Sequence, residues 1–207
     1  MRVFLLVVVV ALLVSALDVR DWNDRPLREA TVAVYDADGS LVALSYVVEG
    51  RTVYGLPWGG GFTLRVAWGL ATLGELLSGR VIWIYDSQVA RDVAELGAPA
   101  SGKIRTWAYP LTIVVRDREG RPVAGCAAKV VDVLTGGRWF YLFSMTGSDG
   151  SVSLYQAPAA DYHVSIFCNG VLSAGGKFSI QRGAPSTAWN VEMTVNFIDS
   201  VRVVNAP

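Results

Sequence analysis

The stretch Val19-Arg20-Asp21-Trp22-Asn23-Asp24-Arg25-Pro26-Leu27 returns without a gap as Val115-Arg116-Asp117-Arg118-Glu119-Gly120-Arg121-Pro122-Val123. A chain that repeats itself folds as units that each satisfy the same pattern, and this constrains the architecture more than any other feature. The offset of 96 residues carries on from Ala30, Val32 and Val34 to Cys126, Ala128 and Val130. A second block fits at an offset of 100, where Phe62 to Trp68 fall on Tyr162 to Cys168. These offsets set one unit at 17–108 and another at 109–207, the latter with an additional carboxy-terminal strand. Gly97 to Pro110, rich in Gly, Pro, Ala and Ser, reads as a linker or long loop between them.

The period inside each unit is two. Leu111, Ile113 and Val115 alternate with Thr112, Val114 and Arg116, Ala30, Val32 and Val34 with Thr31, Ala33 and Tyr35, and Phe62, Leu64 and Val66 with Thr63, Arg65 and Ala67. Such alternation buries one face of a strand. Asp38-Gly39, Glu119-Gly120 and Asp149-Gly150 supply the positive φ of tight turns. Short strands with such turns between them indicate an all-β chain of packed sheets, a β-sandwich in each unit. One short helix is expected over Ser87 to Leu96, between Asp86 as cap and Gly97 as stop.

The amino terminus reads as an export signal. Arg2 precedes twelve apolar residues, Val3 to Val14, and Ser15-Ala16 supplies small residues for cleavage after Ala16. The run is shorter than the roughly 20 residues a spanning helix needs. Residues 1–16 are thus expected to be removed, with membrane contact only through this segment if it is retained. With apolar residues at 52% and charged residues at 17%, the chain is no disordered polymer. Eighteen basic and eighteen acidic residues cancel, which argues against a nucleic-acid binder.

The segments VRDREGRPVAGCAAKVVD (115–132) and GSDGSVSLYQAPAADYHVSIF (147–167), with their counterparts in the first unit, resemble the carboxypeptidase-regulatory-like and Cna-B-like modules of archaeal and bacterial surface proteins. The shared pattern is a strand, a D-x-x-G-x-P turn, a second strand, a T-D-x-x-G turn and a closing G-x-Y-x-V-x-V strand. The resemblance implies seven-stranded, immunoglobulin-like sandwiches of the prealbumin type, in tandem. It carries fold information and almost no ligand information. Asn23-Asp24 departs from the family's acidic-Gly turn. Some family members carry Lys–Asn crosslinks, but Lys129 is out of phase with the apolar Cys126, Ala128 and Val130 and is expected to face solvent.

Cys126 and Cys168, the only cysteines, fall on inward positions of two strands expected to face each other across the sandwich. An exported protein matures where disulfides persist, so they are expected to be bonded, the alternative being two buried thiols. Trp139, thirteen residues after Cys126, echoes the Cys–Trp–Cys pattern of immunoglobulin domains. His163, the only histidine, reads as a surface residue on a strand. The acidic pairs Asp36/Asp38 and Asp117/Glu119 read as turn formers, with a loop-borne calcium as the alternative.

Aromatic residues are in surplus, at 11%. Trp139, Phe140 and Tyr141 sit where both parities are apolar, and Trp58 lies in a Pro-Trp-Gly-Gly-Gly loop. These four are the candidate interaction surface; they read first as packing between modules or subunits, with stacking on sugar rings as the alternative. No nucleophile, base and orienter occur together, so no catalytic residue, cofactor or metal is assigned. The expected role is a non-enzymatic extracellular structural or adhesive part of the cell envelope, with copies of itself or other envelope proteins as partners. The alternative is a secreted glycan binder. The segment from Val191 to Val204 reads as one or two strands that could pair with another copy's short first strand.

Overall fold

The computed structural model describes residues 13–56, 62–87, 102–184, 188–195 and 202–205. Trp58 and nearly all of the helix expected over Ser87–Leu96 lie outside the described residues. The chain is all-β, as the period-two pattern requires. Its first strands are β1 (Leu13–Arg20), β2 (Glu29–Tyr35), β3 (Leu41–Val48), β4 (Arg51–Leu56), β5 (Thr63–Trp68), β6 (Trp83–Asp86) and β7 (Gly102–Arg105). They form one sheet ordered β6-β5-β2-β3-β4-β1-β7. β3 and β4 meet at the single registered pair Val48↔Arg51, and there the sheet turns over. Its halves therefore close on one core, in which Leu17, Val19 and Ile104 meet Val32, Val34, Leu64, Val66 and Ile84.

The remaining strands are β8 (Ala108–Arg116), β9 (Ala127–Asp132), β10 (Tyr141–Met145), β11 (Ser151–Pro158), β12 (Asp161–Cys168), β13 (Val171–Ser179), β14 (Trp189–Thr194) and β15 (Arg202–Asn205). They make two four-stranded sheets, β10-β9-β12-β13 and β11-β8-β14-β15, around a second core. The neighbours repeat those of the first set: β1 pairs antiparallel with β4 and parallel with β7, and β8 does the same with β11 and β14. β15 is the extra strand and lies along β14 of its own chain.

The duplicated turn is held the same way twice. Val19 N donates to Gly50 O and Leu27 N to Val19 O; Val115 N donates to Gly150 O and Val123 N to Val115 O. Gly50 and Gly150 adopt φ of +80° and +75°, and a Cβ on either would strike the Cβ of Pro26 or Pro122 at 2.8 or 3.0 Å. The sequence unit is thus a mutual fit of Asp, Pro and a distant Gly.

Three expectations are corrected. Over its described residues the join is no linker: Gly102–Arg105 is strand β7, β8 starts at Ala108, and between them stand only Thr106 and Trp107, both buried. Thr106 N and Oγ1 donate to Arg20 O, while Trp107 N donates to Ile84 O and Ala159 N to Trp107 O, which ties both residues into packed structure. Next, β2 is buried on both faces, because Thr31 and Ala33 are covered by a short helix, α1 (Leu73–Leu77), and the loop around it. Its start is the capping box Thr72-x-x-Glu75, a signal legible in the sequence, although five residues are too few to show helical period. The third concerns the cysteines. Cys126 and Cys168 are bonded, but they lie side by side in one sheet, next to the registered pair Ala127↔Phe167, and do not bridge the sandwich. The bond closes a sequence separation of 42 residues. Replacing both cysteines with Ser is expected to cost about 4 kcal/mol by the chain-entropy relation. Urea unfolding of the oxidised protein and the variant measures it.

A candidate ligand cleft between the two sandwiches

The turn after β1 is where the two copies of the repeat diverge. Asp21 and Asp117 occupy matching positions, and each accepts backbone N–H bonds: Asp21 from Asn23 and Arg25, Asp117 from Glu119 and Arg121. Asp36, Asp149 and Asp132 do the same work in other turns, which accounts for the acidic residues by turn chemistry. Among the described residues no three His, Cys, Asp or Glu side chains come together as a metal site would need.

Asp117 keeps contact with solvent, whereas Asp21 is fully buried. What covers Asp21 is the second sandwich. Gln156 of β11 donates from Nε2 to Asp21 Oδ2 at 3.1 Å and to Pro26 O at 2.9 Å, and its Oε1 accepts from Arg28 N at 3.4 Å. The Trp22 ring lies 5.3 Å from that of Tyr109, and the Trp22 backbone N–H donates to Ala108 O. The matching residue of the second copy is Arg118, which is exposed. Burial pushes the Tyr109 hydroxyl up to about 12.

The other side of the junction is made by Trp139. Its indole Nε1 donates to Arg80 O at 2.6 Å, and its ring lies against Gly69, where a Cβ would sit 3.3 Å from the ring. Arg138 pairs with Glu75 of α1. Phe140 is only 5% exposed, in contact with Trp68 and Tyr162. Trp139 and Phe140 are therefore not an outer surface: one joins the sandwiches and the other fills the core. Nor does Trp139 line the disulfide as in an immunoglobulin domain. Tyr141 is exposed at 59%, with Phe143 and Met145 exposed further along β10. His163 and Lys129 point away from the core, with the Lys129 ammonium 5.9 Å from the Tyr141 ring.

Docking leaves a cleft of about 380 Å³. Arg28, Glu29, Trp68 and Gly69 line it from the first sandwich; Trp139, Phe140, Tyr141, Leu154, Tyr155 and Gln156 line it from the second. Sequence reasoning found Trp139, Phe140 and Tyr141 but not Arg28, Glu29, Trp68 or Tyr155, because no local pattern marks residues that meet only on docking.

No protein-family model matches the chain, and no curated protein matches it. Among solved structures it is similar to the shaft pilin SpaA of Lactobacillus rhamnosus GG, at 11% identity and TM-score 0.32 over 91% of this chain and all of that one. It is also similar to a candidate cell adhesion protein from Bacteroides ovatus, at 8% and 0.42 over 95% and 97%. A dioxygenase domain from a Streptomyces carbohydrate-binding fusion matches at 21% and 0.28 over 45% and 81%. All three TM-scores are below one half, so nothing about this chain's role rests on them.

Two outcomes are expected. Gln156→Ala removes the donor that covers a buried carboxylate and should lower stability by about 1–3 kcal/mol in urea unfolding. Acid should weaken the fold as well. The Thr72 backbone N–H and hydroxyl, aided by Arg138, hold the Glu75 carboxyl below its usual range, and the Lys103 ammonium does so for Asp24. A depressed carboxylate contributes stability above its unfolded pKa and loses it as pH falls through the folded value. The melting temperature should hold from pH 7 to about 5 and drop below about pH 4, with a shallower drop in Glu75→Gln.

Proposed function

We propose that this chain is an exported, non-enzymatic protein of the cell surface, in which tandem sandwich modules, 17–108 and 109–207, act as one stiff structural or adhesive element. The observation that carries this reading is the junction. Two sandwiches joined through two buried residues, with Asp21 closed over by Gln156, behave as a single body rather than as beads on a tether. A stiff body holds spacing between neighbours, and its exposed edge strands and aromatic strip offer contacts to them. The resemblance of 115–132 and 147–167 to surface-protein modules points the same way. The carboxylates of the turns are spent on backbone N–H groups, and His163 stands exposed on β12, which supports a binding or scaffolding role over a catalytic one.

Export is supported by the amino-terminal pattern and fits the ladder of β1. Among the described residues Leu13 to Ala16 pair with Leu56 to Val53 alone, Leu17 and Asp18 pair with both Thr52 and Arg51 of β4 and Gly102 and Lys103 of β7, and Val19 and Arg20 pair with Ile104 and Arg105 of β7. A cut after Ala16 would thus spare the half of β1 that pairs with β7. Fractionation of the source cells with mass spectrometry of the amino terminus tests the reading. The expected result is envelope or extracellular protein beginning at Leu17. Full-length protein in the cytosol would overturn it.

A further inference from the structure

We infer that the cleft between the sandwiches binds a neutral oligosaccharide. This deepens the adhesive side of the function proposed above and rests on it only for where such a sugar is met. The cleft's volume of about 380 Å³ falls within the range of small-molecule sites, ~300–1,000 Å³. Its walls are aromatic. Tyr155 is 73% exposed and Tyr141 59%, while Trp68 and Trp139 are half-buried. Rings of this size are rarely left open on a concave surface without use.

The rings are also held in place before any ligand arrives. Arg25 lies 5.2 Å from the Tyr155 ring centre and Lys129 5.9 Å from that of Tyr141, and Trp139 is fixed by its bond to Arg80 O. Little ordering is left for binding to impose. Sugar rings present apolar C–H faces edged by hydroxyls that both donate and accept. The cleft offers matching groups: flat aromatic faces, the guanidinium of Arg28 as donor and the carboxylate of Glu29 as acceptor.

Other occupants fit less well. Glu29 and a chain charge of zero disfavour a nucleic acid or other polyanion. The polar groups disfavour a lipid tail. A peptide adding to the edge of β11 would meet the register shift between Leu154 and Ala157, which breaks the ladder at the cleft. Tyr141 also lines a shallower groove that continues past Phe143 to Met145 along β10. At ~3.3 Å per residue this adds about 13 Å, enough for a chain of sugars rather than one ring.

The test is titration calorimetry of the purified protein against linear β-1,4 hexasaccharides of glucose, mannose and N-acetylglucosamine, with a hexauronate and oligo-dT as charged comparators. At least one neutral hexasaccharide should bind at a single saturable site. Tyr155→Ala and Glu29→Gln should each weaken it by about tenfold or more, and Lys177→Ala on β13 should leave it unchanged. Circular dichroism checks that the variants fold. Binding by none of the neutral sugars, equal affinity in the variants, or binding of only the charged comparators would overturn the inference. Cell fractionation is read separately, so an envelope protein that ignores all these sugars loses the site and keeps the surface role.

Discussion

The carboxylate of Asp21 is where the two halves of this protein become one. An acidic side chain with no solvent contact is costly unless its oxygens are met by donors. Two backbone N–H groups of its own turn meet one oxygen, and Gln156, 135 residues away in sequence, meets the other. The matching Asp117 makes the same turn, its second oxygen is met by Arg121 of that turn rather than from the other sandwich, and it keeps partial contact with solvent. One sequence motif therefore does two jobs: it turns the chain in both units, and in the first it also carries the second.

Everything at the junction follows from that seating. The buried pair Thr106 and Trp107 leaves no slack, so Trp22 comes to rest on Tyr109 and Trp139 reaches Arg80. Such aromatic contacts contribute about 0.5–1.5 kcal/mol each beyond the area they bury. The same seating brings Arg28 and Glu29 opposite Tyr155. A cleft built this way is as rigid as the joint, and it would vanish if the sandwiches swung apart.

Much of the architecture was legible in the residues. The period of two marked the strands, and inward parity marked Cys126 and Cys168. What escaped was long-range. The sheet that both cysteines share depends on β9 pairing with β12, which parity alone does not reveal. β2 looked one-sided because the cover on its outer face comes from a five-residue helix about forty residues later. Trp139 and Phe140 read as packing residues, but nothing nearby in sequence tells that Gly69 and Arg80 will lie against one and Trp68 against the other. The Gly- and Pro-rich join looked loose because composition does not see the ladder between β7 and β1. Of the candidate site, Trp139, Phe140 and Tyr141 were legible from the run that is apolar on both parities, while Arg28, Glu29, Trp68 and Tyr155 were not.

The seating of the second sandwich on the Asp21 turn is tested most directly by scanning calorimetry of the disulfide-bonded protein. If the joint welds the two cores, unfolding gives one heat-absorption peak whose calorimetric and van't Hoff enthalpies agree. Two separated peaks, each with its own agreeing enthalpies, would mean that the sandwiches melt independently and that the joint is no weld.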